Sequence, residues 1–221
     1  MDIFEAMKKR HSVRQYTDRK ICGEVLDELN AEIDACNKEG GLNIQLVLNE
    51  PKAFDGFMAH YGNFQGVTNY LALVGKKCRD LDEKCGYYGE RIVLKAQQLG
   101  LHTCWVALTY KKISGVFKVK KDERFTVVIS IGYGRNRGLK RRSKTAEQVS
   151  NISASSPEWF KKGVEAALLA PTAINQQKFY LSLNGNKVRA KAGLGPCAKM
   201  DLGIVKYHFE IGAGKENFEW E

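Results

Sequence analysis

The sequence predicts a sheet covered by helices, of the α/β or α+β class. The segment "FTVVISIGYG", residues 125–134, is rich in β-branched residues and ends in glycines, as a buried strand does. The segment "GEVLDELNAEIDACNKEG", residues 23–40, has apolar residues at helical spacing and a terminal glycine pair, which is typical of an amphipathic helix. Because helices and strands alternate along the chain, layers of both are expected.

The first part of the chain follows this alternation in order. A loop rich in Gly, Phe and Asn is expected at 51–68, and "YYGERIVLKAQQLG" ends on a C-terminal glycine, as helices often do. The predicted elements are helices at 3–9, 23–40, 87–100 and 113–117, and strands at 42–49, 69–75, 102–108 and 125–134.

After residue 150 the order starts again. A helix at 157–170, a loop at 171–178, a strand at 179–184, a turn and a helix at 200–214 are predicted. Gly89 and Gly100 are separated by the same interval as Gly203 and Gly214. We therefore expect two related halves, 1–150 and 151–221, packed together as one unit.

Composition excludes several classes of protein. The N-terminal residues lack an apolar core for a signal peptide, and no apolar run reaches the length of a membrane helix, so a soluble, cytoplasmic protein without a membrane partner is expected. The six cysteines contain no C-x-x-C pair, which favours reduced thiols. His102 and Cys104 have ligand-like spacing, but two residues make only half a metal site, and we predict no metal.

The net charge of +10 requires either an anionic partner or a well-solvated surface. In "RNRGLKRRSK", residues 135–144, six of ten residues are basic and none is aromatic. Because nucleic-acid binders usually interleave aromatic residues with basic ones, this run favours a solvated loop or a phosphate site over nucleic acid.

A second basic cluster follows the first helix, in "KKRHSVRQY". Guanidinium groups can hold a phosphate through charge-assisted bonds, and a serine hydroxyl adds a neutral contact. The alternative is a basic helix end that complements its own dipole. The local sequence leaves both interpretations open.

Four stretches together resemble the FMN-dependent nitroreductase family. "KRHSVR" with the following "YTDRKI" is similar to its N-terminal signature R-[RH]-S-x-[RK]-x-[FY], and "APTAINQQKF" to its A-P-[ST]-x-x-N-x-Q-P-W loop. "LGLHTCWVAL" resembles the strand that lies beside the flavin, and "IGYG" with its basic residues resembles a fourth motif. The resemblance implies an α+β fold in α/β/α layers, with a mainly antiparallel sheet flanked by helices.

The order of the motifs departs from the family pattern. The family's alanine-proline loop follows the first signature closely, whereas "CNKEGGLNIQL" stands there in this chain and the loop begins at Ala170. The chain thus resembles a single-chain variant whose duplicated half-domains imitate the usual homodimer, as a pseudo-dimer. We expect one FMN per chain and a monomer or weak dimer.

The resemblance implies a role for each matching residue. Arg10 would contact the phosphate, together with the later basic cluster of Arg141, Arg142 and Lys144. Arg14 is the candidate catalytic residue at the flavin's pyrimidine edge, where it would stabilise the reduced, anionic ring. Asn175 and Gln177 would bind ribityl hydroxyls or the flavin edge. The full set of implied FMN contacts is Arg10, His11, Ser12, Arg14, Cys104, Trp105, Arg141, Arg142, Lys144, Pro171, Thr172, Ala173, Asn175 and Gln177.

The implied activity is hydride transfer from NAD(P)H, through flavin N5, to a nitroaromatic, quinone or similar planar acceptor. Lys178 and Phe179 replace the family's proline and tryptophan. A substrate pocket that is more open than the family's, or differently shaped, is therefore expected. Two alternatives remain: a protein of the same fold that stores or senses flavin without turnover, and a basic nucleic-acid-binding protein.

Overall fold

The computed structural model describes residues 1–139 and 142–221. These form two compact units. Unit 1 is built from 1–81 and 91–139, and unit 2 from 82–90 and 142–221. One long helix therefore contributes its first half to unit 2. The division into related halves at residue 150 stays a prediction.

Unit 1 is a four-stranded antiparallel sheet with helices. The strands lie in the order β1-β2-β4-β3. Their bounds are β1 Gln45–Val47, β2 Tyr70–Lys76, β3 His102–Val106 and β4 Glu123–Gly132, and the helices are α1 Ile3–Lys9, α2 Glu24–Gly40, α3 Phe57–Tyr61 and the second half of α4, Leu81–Gln98.

The core of unit 1 forms because its central strands are apolar on both faces. Every residue of β2 except the last is buried. Helix α2 buries Leu29, Ile33 and Cys36 and ends where Gly41 adopts a left-handed conformation, with φ of 62°. Glycine has no Cβ, so it adopts this left-handed conformation without steric strain, and the chain turns directly into β1.

Unit 2 combines a three-stranded sheet with helices. Strand β5 pairs antiparallel with β6, and β6 pairs parallel with β7. The bounds are α5 Ala146–Val149, α6 Glu158–Leu168, β5 Phe179–Asn184, β6 Lys187–Ala192, α7 Ala198–Ala213 and β7 Glu219–Trp220. Edge-to-face and tilted contacts join Phe160, Phe209, Phe218 and Trp220 into an aromatic core.

Within unit 2, the first half of α4 crosses α7 at two glycines. A Cβ at Gly86 would lie 2.0 Å from the carbonyl oxygen of Met200, and a Cβ at Gly203 would lie 1.9 Å from that of Glu83. The arrangement is reciprocal, because each glycine follows by three residues the carbonyl that the other helix's glycine contacts. Only glycine allows the two backbones to approach so closely.

The structure confirms the α+β class and most of the predicted elements, and corrects three. The loop expected at 51–68 contains the short helix α3, Phe57–Tyr61. No helix forms at 113–117, because Gly115 takes a φ of 79° in a turn and Ile113, Val116 and Phe117 pack instead against the unit 1 core. The predicted turn after β5 is only the pair at 185–186, and the next six residues form β6. Among the described residues, no helix has the length and apolar character needed to span a bilayer.

Candidate functional site

The arginine-rich segment of unit 1 runs extended along the outer edge of the sheet. Ser12 forms a parallel bridge with Thr103 of β3, and the Val13 amide donates to the Thr103 carbonyl at 3.0 Å. Because successive side chains of an extended chain point to opposite faces, Arg10, Ser12 and Arg14 share one face, and the buried Val13 occupies the other. Three of the predicted FMN contacts are thereby aligned.

Cys104 of β3 belongs to the same group of side chains. Burial raises the pKa of its thiol, and the Arg14 charge, a hydrogen bond with Ser12 and the Arg10 charge act in the opposite direction. Arg10 is only 3% exposed, whereas Arg14 is exposed. Trp105 is the next residue of β3, so its side chain lies on the other face, away from this group.

Arg14 is supported by the loop after α3. Its guanidinium carbon lies 5.8 Å from the centre of the Phe64 ring, a cation–π distance, and its carbonyl accepts from the Gln65 amide at 2.9 Å. The Gln65 carbonyl in turn accepts from the Tyr16 amide at 3.0 Å. The sequence predicts only a connecting loop here, and no motif marks Phe64 as a neighbour of Arg14.

The segment after β4 closes over His11. A Cβ at Gly138 would lie 2.7 Å from the His11 Cβ and 2.9 Å from the Ser12 carbonyl oxygen, so glycine is needed for this approach, with φ of 74°. The Gly134 amide donates to Nδ1 of His102 at 3.2 Å. Burial and the nearby Arg137 lower the pKa of His102. Among the residues that the structure describes, no cluster of three or more His, Cys, Asp or Glu could hold a metal ion.

The alanine-proline loop of unit 2 has an unusual backbone. Ile174, Asn175 and Gln177 all have left-handed φ values, of 48°, 54° and 44°. This conformation is unfavourable for residues with a Cβ, most of all for a β-branched one such as Ile174, which is also 90% exposed. Strained backbone of this kind concentrates at functional sites, where the surrounding structure holds it in place.

The side-chain amide of Gln177 ties this loop to the basic run. It is 2% exposed, donates to the Leu168 carbonyl and the Ser143 hydroxyl, each at 3.1 Å, and accepts from the Lys144 amide at 2.8 Å. The Lys144 Nζ donates to the Gln177 carbonyl at 2.8 Å. Both N–H donors and one acceptor position of the Gln177 side-chain amide are thus engaged within unit 2.

Other predicted residues of unit 2 lie in the same loop. The Asn175 amide donates to the Arg142 carbonyl at 2.7 Å, and both side chains are exposed. The Thr172 hydroxyl accepts from the Gln177 amide N–H at 3.0 Å. Pro171 is buried and Ala173 is half-buried. The predicted phosphate contact Arg141 lies outside the described residues, and the predicted FMN roles of the whole set stay predictions.

Asp201, which no sequence motif marks as a functional residue, is buried beside this loop. Its carboxylate, 4% exposed, accepts from the Ala173 amide at 3.0 and 3.1 Å and from the Gln176 side-chain amide at 2.8 Å. Burial raises the pKa of Asp201 above its ordinary value, although these two donors act to lower it. An acid in the first turn of α7 is so common that nothing in the sequence marked it.

We expect the stability contribution of Asp201 to depend on pH. Because the pKa of Asp201 is raised by folding, the favourable contribution of its protonated form is complete below the unfolded pKa of about 3.9 and is lost as pH rises through the folded value. Asp201→Asn carries no charge. The stability of the original chain relative to this variant, measured by urea unfolding, should therefore fall as pH rises above about 4. A difference that stays constant over this range would contradict the expectation.

Comparisons with known proteins show which family model and which solved structures the chain resembles. A family model described as "Putative TM nitroreductase" matches residues 2–213. The structure of a putative nitroreductase from Thermotoga maritima superposes with a TM-score of 0.69 at 24% identity, covering 96% of this chain and 83% of that one. No curated protein sequence matches the chain significantly.

Two further structures are those of putative nitroreductases in complex with FMN. The Desulfovibrio desulfuricans protein is 18% identical, with a TM-score of 0.54, and the alignment covers 71% of this chain and 99% of that one. The Exiguobacterium sibiricum protein is 14% identical, with a TM-score of 0.54, and the coverage is 69% and 98%. These likenesses confirm a nitroreductase-like fold.

Proposed function

Because the chain belongs to the nitroreductase family whose model matches residues 2–213, we propose that it is an FMN-dependent oxidoreductase. Two proteins of the same fold are solved in complex with FMN. The observation in this chain that carries the proposal is the shared face of Arg10, Ser12 and Arg14 beside Cys104. The sequence resemblance and the geometry thus point to the same residues.

The residues of this face fit an anionic, hydrogen-bonding cofactor. Among residues 1–139 and 142–221, no carboxylate forms an ion pair with the exposed Arg14, so its charge is available to a ligand. Arg10 lies in a buried, low-dielectric environment, where a cation attracts an anion more strongly than it does in water. In unit 2, the exposed Asn175 and Arg142 offer amide and cationic contacts of the same kind.

Each residue has a distinct proposed task. FMN, when bound, would supply the two-electron chemistry, taking a hydride from NAD(P)H and passing the electrons to a planar nitroaromatic or quinone acceptor. Arg10 would hold the phosphate. Arg14 would place a fixed positive charge where negative charge develops at the flavin's pyrimidine edge. Gln177 would act by positioning the loop, because its own amide is already engaged.

The absorption spectrum of the purified protein is the primary test. We expect noncovalently bound FMN, identified by chromatography after heat release, and oxidation of NADH or NADPH with menadione or a nitrofuran as acceptor. FAD, or no flavin after reconstitution, would overturn the assignment. Flavin without acceptor-dependent turnover would favour a storage or sensing protein. Colourless protein that binds nucleic acid with a steep salt dependence would favour the basic nucleic-acid-binding alternative.

Arg14→Ala is expected to reduce turnover by roughly tenfold while it leaves FMN retention less affected. The reason is that the lost charge matters most when the bound ring system carries negative charge. Turnover number and FMN dissociation constant are measured on the same preparation. Arg14→Lys, which keeps the charge, should recover part of the lost turnover, and equal losses in both measurements would contradict this role.

We also propose that the chain is a single-chain counterpart of a dimeric nitroreductase. Two observations support an internal duplication: α4 and α7 cross reciprocally at Gly86 and Gly203, and both helices begin after a strand that pairs with the strand before it. The arginine signature and the alanine-proline loop each occur once. The expected stoichiometry is therefore one FMN per chain.

Stoichiometry and mass test this proposal together. Flavin absorbance against protein concentration should give a ratio near one, and light scattering should give the mass of a monomer that retains activity on dilution. A ratio near two, or activity that disappears as a dimer dissociates, would show that the single-chain proposal is wrong.

A further inference from the structure

The left-handed conformation of the loop at 172–177 needs support from outside the loop. Ile174 and Asn175 have positive φ values and exposed side chains, so their own packing stabilises that conformation little. Within the loop, the bonds are short-range. The backbone amides of Asn175 and Gln176 donate to the carbonyls of Thr172 and Ala173 at 2.9 and 3.0 Å. The backbone amide of Gln177 donates to the Thr172 hydroxyl at 3.0 Å. These bonds close a single turn, and a turn of this size is readily exchanged for a relaxed conformation.

Asp201 supplies support at both ends of this turn. Its carboxylate accepts from the Ala173 backbone amide before the left-handed residues and from the Gln176 side chain after Ile174 and Asn175. Gln176 also donates to the Pro196 carbonyl at 2.8 Å, which joins the loop to the segment before α7. The carboxylate is on α7, a 16-residue helix packed along α6, so it is a rigid point of attachment.

We propose that Asp201 is a positioning residue for FMN binding: it holds the loop at 172–177 in the left-handed conformation that presents Asn175 to the cofactor. This inference rests on the proposed function. It assigns the affinity for FMN partly to a residue that does not contact FMN, because the carboxylate is buried and its lone pairs face Ala173 and Gln176.

Asp201→Asn is the direct test, because it preserves size and removes one acceptor. If the asparagine oxygen keeps the Ala173 bond, its NH₂ group faces the NH₂ group of Gln176, and the turn loses its second attachment. We expect the FMN dissociation constant, measured by equilibrium dialysis, to rise roughly tenfold. Amide hydrogen exchange at 172–177 without cofactor should become roughly tenfold faster.

Glu123→Gln is the matched control. Glu123 is also buried, at 7% exposure, and accepts from a backbone amide, that of Lys120, and a side-chain amide, that of Asn43. It lies in unit 1 at the start of β4. This variant should change neither the FMN dissociation constant nor exchange at 172–177, although it removes the same kind of acceptor.

Rescue by Ile174→Gly separates positioning from a general loss of stability. Glycine adopts a positive φ without strain, so the loop should need Asp201 less, and the double variant should recover most of the lost FMN affinity. No rescue, or unchanged affinity and exchange in Asp201→Asn, would overturn the inference. If the original chain bound no FMN while Asp201→Asn still accelerated exchange at 172–177, the proposed function would fail and Asp201 would remain only a support of the loop.

Discussion

Replacing Gly203 by alanine is expected to lower the free energy of unfolding by about 3 kcal/mol or more. The added Cβ would lie 1.9 Å from the Glu83 carbonyl oxygen and 2.7 Å from the Tyr87 amide nitrogen. Both are backbone atoms of α4 and cannot move aside as a flexible side chain could. The helices must separate, which removes packing along their contact. Urea unfolding followed by circular dichroism measures the loss.

Gly56→Ala is the control for this prediction. A Cβ at Gly56 meets nothing within 4 Å, and its φ of −135° suits any residue. We expect a change within about 0.5 kcal/mol. Similar values for both variants would contradict the close crossing of α4 and α7.

Arg10→Ala is expected to weaken FMN binding by roughly tenfold to a hundredfold, the second large effect. Under the proposed function, Arg10 contributes a permanent charge to the phosphate from a buried position, where solvent screens that charge poorly. The dissociation constant is measured by equilibrium dialysis at a temperature where circular dichroism shows the variant folded. The loss should exceed that caused by Arg14→Ala.

Arg19→Ala provides the comparison. Arg19 is exposed and follows in the same N-terminal segment. Its guanidinium carbon lies 3.9 Å from the centre of the Tyr133 ring. Its removal changes the net charge by the same amount and should leave the FMN dissociation constant within about twofold, since a screened surface charge contributes little. A loss equal to that of Arg10→Ala would indicate a nonspecific charge effect.

The long, strongly patterned elements could be predicted from the sequence, and the weakly patterned ones could not. The apolar spacing of α2 and the β-branched run of β4 each determine their element locally. Strand β6 escaped prediction because "KVRAKA" alternates charged residues with small ones and buries only Val188 fully. Its extended conformation comes from pairing with β5 and β7. These contacts are not encoded in the local sequence of β6.

The candidate site likewise has a part that could be predicted from the sequence and a part that could not. Alternation in "RHSVR" is enough to place Arg10, Ser12 and Arg14 on one face once the segment is extended. The support of that face is not local: Phe64 reaches Arg14 across about 50 residues of sequence. Asp201 likewise follows Ala173 by 28 positions, and a lone acid in a helix gives no sign of the distant amide that it accepts from.

The reciprocal glycine crossing also sets an order of events during protein synthesis. Gly86 leaves the ribosome 117 residues before Gly203, which corresponds to roughly 6 to 23 s at ordinary elongation rates. Throughout that interval the glycine-bearing half of α4 has no α7 to cover it, so its tightly fitted surface is exposed to chaperones and proteases. Unit 2 can therefore be completed only after α7 has been synthesised, well after all four strands of unit 1.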